Sequence, residues 1–170
     1  MPTVLAAQIN DVLPIARDAY YKLVLVVGPA RTGKTITLTE LATEHNWPRV
    51  NVNLCLAERF LELTHRKRAT RVAKILDEIV LTANLDVVLL DNIELLFAKE
   101  LAQDPLRLLQ SLSRNRAIVA AWPGGFDGTC LTYANPGHPE TRRYHTPEAV
   151  IVKAFDTNPP STEMLTEEVV

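Results

Sequence analysis

The chain has 170 residues, 47% of them hydrophobic and 22% charged, with a formal net charge of −2 at pH 7; this fits one domain with a full core and excludes a global field that would draw the protein onto nucleic acid, leaving only a local basic patch for that purpose. Its two cysteines, Cys55 and Cys130, lie in unrelated segments, which argues against a disulfide scaffold or a zinc site and fits a reduced, intracellular setting. No apolar run approaches the length of a membrane span, and no basic and apolar leader opens the chain, so a cytoplasmic protein without membrane contact is expected.

Residues 3–20 read as an amphipathic helix, with Val4, Leu5, Ile9, Val12, Leu13 and Ile15 near a 3.6-residue period. Pro14 falls inside the pattern and is expected to break or kink it near Leu13. Such a helix can cover a sheet edge or the adenine side of a nucleotide, although packing alone accounts for the pattern. Residues 21–27 form a nearly unbroken apolar run, as in a parallel strand covered on both faces.

Gly28-Pro29-Ala30-Arg31-Thr32-Gly33-Lys34-Thr35 follows, matching G-x-x-x-x-G-K-[ST] in full. Residues 36–45, from Ile36 on, read as a helix. Strand, glycine loop and helix together make a phosphate site. Gly28 and Gly33 let backbone N–H groups turn inward where a side chain would block the phosphates. Lys34 brings a positive charge to the β- and γ-phosphates, Thr35 offers a hydroxyl to Mg²⁺, and the helix N-terminus adds its dipole and free donors. Residues 28–36 are therefore the candidate nucleotide-binding segment, with ATP and Mg²⁺ as the expected ligands.

Residues 49–53 alternate and read as a short second strand. Residues 56–63 and 67–83 read as helices, the second with Val72, Ile75, Leu76, Ile79, Val80 and Ala83 as its apolar stripe. Residues 86–91 are a buried strand ending in Asp91. A helical stretch over 92–97 follows, and then a helix over 106–112 with Asp104 as cap and Pro105 in its first turn. Residues 117–121 are a further strand. Residues 122–147 read as a long irregular insert in which 131–134 and 142–145 can pair as a hairpin. Residues 149–153 form the last strand. The nucleotide domain is thus expected over 1–155, with a flexible acidic tail over 156–170.

Five strands alternating with helices predict an α/β fold, a three-layer parallel five-stranded sheet of the P-loop NTPase kind, with the ligand outside the carboxyl ends of the strands. Val87-Val88-Leu89-Leu90-Asp91 resembles a Walker B strand, placing Asp91 opposite Thr35 as the metal acid. An extra strand between the two motif strands marks the ASCE and AAA+-like branch, where an acid beside that aspartate polarises the attacking water. Here Asn92 follows Asp91, and Glu94 is the nearest later acid. Glu94 is the candidate general base, against the plain alternative of a solvated helix acid; Asn92 can instead orient water with slow turnover. The strand exit Ala121-Trp122 lacks the polar sensor usual in that branch, and Trp122 is expected in the core or at an interface. The chain ends soon after the fifth strand, so no C-terminal helical lid is expected.

ATPases of this branch often take an arginine from a neighbouring subunit. Arg114 and Arg116, before the fourth strand, and Arg142 and Arg143, in the insert, are the candidates. A cation at a helix C-terminus accounts equally well for Arg114 and Arg116. Arg66, Lys67, Arg68, Arg71 and Lys74 form the densest basic cluster, and Lys67, Arg71 and Lys74 share a helix face. They are candidates for a DNA or RNA phosphate contact, against a solvated face opposite the apolar stripe.

A small P-loop domain with GPARTGKT, VVLLDNIELL and the exit Ala121-Trp122-Pro123-Gly124-Gly125 resembles the BrxF family, the small P-loop ATPases of type 3 BREX bacteriophage-defence systems. The resemblance covers most of residues 1–155. It implies an ATP-binding, AAA+-like component of a multi-protein complex that tells self from phage DNA, with Gly28, Gly33, Lys34, Thr35 and Asp91 as the residues carried over, and Glu94 with them. The reading is an ATPase that converts nucleotide state into homo-oligomer, defence-partner or double-stranded DNA assembly. Two alternatives remain: a nucleotide-dependent binding module with little hydrolysis, and a small-molecule kinase, for which no arginine-rich lid helix is visible.

Overall fold

The computed structural model describes residues 3–83, 86–133 and 142–154. Its centre is a sheet whose strands run in the order β2-β3-β4-β1-β7, with β1 Leu23–Gly28, β2 Arg49–Asn51, β3 Val87–Asp91, β4 Ala117–Phe126 and β7 Val150–Lys153. All four neighbouring pairs are parallel. The five-stranded parallel sheet expected from the sequence is therefore present, and β4 lies between the two motif strands β1 and β3.

Alternating residues of the strands feed two separate cores, as the period-2 geometry of a strand requires. Leu23, Leu25 and Val27 of β1 pack with Val88, Leu90, Ile118 and Trp122 against α3 Val52–Phe60, α4 His65–Ala83 and α5 Pro105–Leu112. Val24 and Val26 pack with Val87, Leu89 and Val119 against α1 Val4–Arg17 and α2 Lys34–His45. Every residue of β1 is buried, and removal of that apolar surface from water is the main force holding the three layers together.

Local chemistry sets the helix ends. Thr3 caps α1 by accepting a hydrogen bond from the Ala6 N–H, and its own N–H and hydroxyl bind Glu40 of α2 at 3.0 and 3.1 Å. Asp104 caps α5 with Pro105 in the first turn, as its sequence predicts. Pro14 does not end α1, which runs on to Arg17. It lies on the exposed face, where water can stand in for the missing N–H. This helix packs on β1, β7 and α2, covering the sheet, and lines no part of the cleft described below.

Three boundaries differ from the sequence expectation. The second strand stops at Asn51, because the Asn51 side chain accepts from the Leu54 N–H at 3.1 Å and starts α3 there. The stretch after Asp91 forms two short 3-10 turns, Glu94–Phe97 and Lys99–Leu101, in place of an α-helix. Finally, Trp122 to Phe126 is not irregular: β4 continues through Pro123-Gly124-Gly125 and pairs antiparallel with β5 Cys130–Tyr133, which pairs with β6 Arg142–His145. The hairpin expected over 131–134 and 142–145 is thus present in its described part; residue 134 and the acidic tail over 156–170 lie outside the described residues. Among the described residues no helical lid follows β7, and no helix is long and apolar enough to cross a membrane.

Candidate functional site

The loop between β1 and α2 leaves the sheet at its carboxyl edge. Gly28 is packed so closely that a Cβ there would meet Thr32 Oγ1 at 2.7 Å and the Ala154 carbonyl oxygen at 2.9 Å. Arg31 and Gly33 have φ of +66° and +84°, the left-handed turn that brings the chain into α2. Gly33 is the N-cap and makes no side-chain capping bond, so the first N–H groups of α2 remain available to an anion. Thr32, buried, donates to the Pro29 carbonyl at 2.8 Å and braces the loop.

Lys34 folds back onto this loop. Its Nζ donates to the Gly28 and Pro29 carbonyl oxygens at 2.5 and 2.6 Å. Burial pushes the Lys34 ammonium below its ordinary value of 10.5, while the charges of Glu94 and Asp91 act the other way. A half-desolvated cation facing two acids across a cleft is the electrostatic arrangement a polyphosphate and its metal would complete.

That cleft has a volume of about 290 Å³ and is lined by Ala30 to Thr35 (Thr32 apart), Ile36, Asp91, Asn92, Glu94, Ala121 and Pro123. Pro29, Ala30 and Thr35 are exposed at the loop, and Ile36 is 65% exposed beside it. Asp91, at the end of β3, is only 3% exposed. Its Oδ1 accepts from the Asn92 N–H at 2.9 Å, and its Oδ2 pairs with Arg49 Nη1 at 3.3 Å. Asn92 has φ +53°, the backbone turn that carries the chain from β3 over the cleft, and its carbonyl accepts from the Asn53 N–H at 2.8 Å.

Glu94 is exposed at the rim. Asn53 holds it there, donating from Nδ2 to Glu94 Oε2 at 2.8 Å while its Oδ1 accepts from the Leu95 N–H at 2.8 Å. Sequence reasoning did not single out Asn53 or Arg49. Arg49 opens the short β2 and Asn53 lies in the first turn of α3 just after it, so only their nearness to the strand beside the Walker B strand could have marked them. Thr35 and Asp91 offer a hydroxyl and a carboxylate, oxygen donors of the kind Mg²⁺ prefers. Among the described residues no group of three or more His, Cys, Asp or Glu could hold a metal. An ion here would complete its shell with phosphate and water.

The fourth strand brings no polar side chain to the cleft: Ala121 and Pro123 face it. Trp122 points to the other side, fully buried, donating to the Thr132 carbonyl at 3.0 Å and standing edge-on to Phe97 at 5.0 Å. It is a core residue that ties the hairpin to the sheet.

The arginine candidates separate into two groups. Arg114 and Arg116 precede β4, at the opposite edge of the sheet from the phosphate loop. Arg114 lies over the Tyr20 ring at 5.2 Å, and Arg116 donates to the Val80 carbonyl of α4 at 3.0 Å. Arg142 and Arg143 sit on β6, with Arg143 exposed and 3.9 Å from Cys130 Sγ; neither lines the cleft. In the basic cluster of α4, Arg68 is spent on structure: its Nε donates to the Phe60 and Leu63 carbonyls at 3.2 and 3.1 Å. Arg66, Lys67, Arg71 and Lys74 are exposed, and the last two lie beside the Arg59–Glu78 ion pair.

Strand, phosphate loop, helix and a buried acid on the next-but-one strand define a P-loop nucleotide site. Residues 24–117, more than half of the chain, match the AAA family, the ATPase family associated with various cellular activities, and the chain belongs to that family. No curated protein matches it. Among solved structures, that of C. elegans PCH-2 is similar over 99% of this chain and 48% of that one, with a TM-score of 0.48 and 17% identity; this chain spans about half its length.

Proposed function

We propose that the protein binds ATP with Mg²⁺ in this cleft and hydrolyses it slowly, coupling nucleotide state to assembly with copies of itself and with partners in a bacterial anti-phage defence complex. The observation that carries the nucleotide reading is the uncapped start of α2, with Lys34 and Thr35 facing buried Asp91 across the cleft. The defence setting rests on the BrxF resemblance of the loop, the Walker B stretch and the Ala121-to-Gly125 exit.

In this reading the loop N–H groups and Lys34 bind the phosphates, and Lys34 leaves the Gly28 and Pro29 carbonyls to do so. Thr35 and Asp91 would hold Mg²⁺, which offsets phosphate charge and orients the terminal phosphate. Glu94 accepts the proton of the attacking water, and Asn53 fixes the carboxylate's position. Arg143, exposed on β6, is the arginine we assign to a neighbour's nucleotide, because Arg114 and Arg116 are engaged with Tyr20 and the Val80 carbonyl. The exposed Arg66, Lys67, Arg71 and Lys74 are the surface for a salt-dependent DNA contact.

A binding module with little turnover is the second reading. Asn92 stands directly after the metal acid, Glu94 is held by Asn53 and β4 supplies no polar group. Phosphate release measured at rising protein concentration separates the two. Turnover that climbs with concentration and falls in Glu94→Gln supports hydrolysis completed by neighbours; undetectable turnover throughout supports the binding module.

A further inference from the structure

We infer that Arg49 is a resident counter-cation that competes with a divalent ion for Asp91, and so sets how much metal the nucleotide site requires. This rests on the reading of Asp91 as the metal acid. A carboxylate buried to this degree needs a compensating charge. Among the described residues Arg49 is its only ion-pair partner, at 3.3 Å from Oδ2. Lys34, the other cation nearby, gives its hydrogen bonds to loop oxygens instead.

The strand register explains how Arg49 arrives there. Arg49 lies opposite Leu89, and Asn51 lies opposite Asp91. The guanidinium must therefore reach two residues along the sheet, about 6–7 Å, toward the carboxyl edge. A long flexible stem does this, and the same stem can withdraw. The Arg49 side chain keeps 34% of its surface in water, against 4% for Asp91. The acid is dry, and the base keeps about a third of its side chain in water.

A divalent ion held by Asp91 would draw on the same carboxylate charge as the guanidinium and would repel it. The two cations therefore compete for one buried charge. Arg49 keeps the acid neutralised in the empty protein and yields when metal arrives with nucleotide. The plain alternative is a structural ion pair that pins the three-residue β2 to β3. Only competition ties the pair to metal affinity.

The test uses Mn²⁺ as a paramagnetic probe of the nucleotide-free protein, with free ion counted by electron paramagnetic resonance. A parallel Mg²⁺ titration follows the binding of a fluorescent ATP analogue. In Arg49→Gln the Mn²⁺ dissociation constant and the Mg²⁺ midpoint should both fall about tenfold, the shift expected when one charge competitor worth about 1.4 kcal/mol is removed. That gain should vanish in Arg49→Gln/Asp91→Asn. If Arg49→Gln does not fold, Arg49→Lys, which keeps the charge but loses the planar reach, should lower both by about threefold. Unchanged midpoints in the folded variant, or a gain that survives Asp91→Asn, would overturn the inference while leaving nucleotide binding intact. Wild-type protein that shows no Lys34-dependent binding of ATP with Mg²⁺ would overturn the nucleotide reading and this inference with it.

Discussion

Lys34 carries the most chemistry per atom in this molecule. In the empty loop it is a half-desolvated ammonium bound to two carbonyls, and burial lowers its proton affinity below the ordinary value of 10.5. The folded state therefore holds this proton less tightly than the unfolded chain. In the window just under 10.5 the unfolded chain binds more protons, so stability rises with pH there. We expect the nucleotide-free wild type to gain stability relative to Lys34→Met as pH rises through that window, read from urea midpoints. A gap that is flat with pH would mean that the loop does not desolvate the amine. Asn53 offers a second residue-scale test. Asn53→Ala should leave ATP affinity within about threefold of wild type, because Asn53 bonds neither the phosphate loop nor Lys34, yet change turnover by freeing Glu94. Equal turnover in Asn53→Ala and wild type would show that Asn53 does not position a reacting carboxylate.

At the scale of elements, the sheet decides where the site can be. The parallel strands and the phosphate loop were legible from sequence because each carries a strong local signal: five valines and leucines in β1, a full glycine motif, and an apolar run that stops at Asp91. Less legible was the path of β4 beyond Trp122. Pro123-Gly124-Gly125 reads as a break because proline and glycine usually mark turns. In the fold those glycines serve close approach instead. A Cβ on Gly124 would fall 1.8 Å from the Thr132 carbonyl oxygen, so β5 can cross there only over glycine. Arg49 and Asn53 were hidden for another reason. Their importance comes from neighbours 42 and 41 residues away, which no local pattern encodes. Gly124→Ala should therefore push β5 off β4 and cost about 1–3 kcal/mol, a fall of roughly 2–12 °C in melting temperature for a chain of this size. It should also disturb the Trp122 hydrogen bond to Thr132 and shift tryptophan fluorescence. Gly125→Ala, whose nearest neighbour would be the Thr132 hydroxyl at 3.5 Å, should cost far less.

For the whole molecule, the phosphate loop, the buried acid and the rim acid converge at one edge of one sheet, while the polar groups that would finish a hydrolytic site are sparse on β4. The neighbour proposed to complete the site would account for the second of these. Mass in solution should then rise when ATP and Mg²⁺ are added, and Lys34→Ala should hold its nucleotide-free mass. All of this stands on one property, Lys34-dependent binding of ATP at the start of α2. Calorimetric titration of ATP with Mg²⁺ into wild type and Lys34→Ala measures it directly. We expect saturable binding to the wild type with one nucleotide per chain, and at least about tenfold weaker binding to the variant, a loss of about 1.4 kcal/mol or more. Equal affinity in the two proteins, or no binding to either, would contradict the nucleotide site described here.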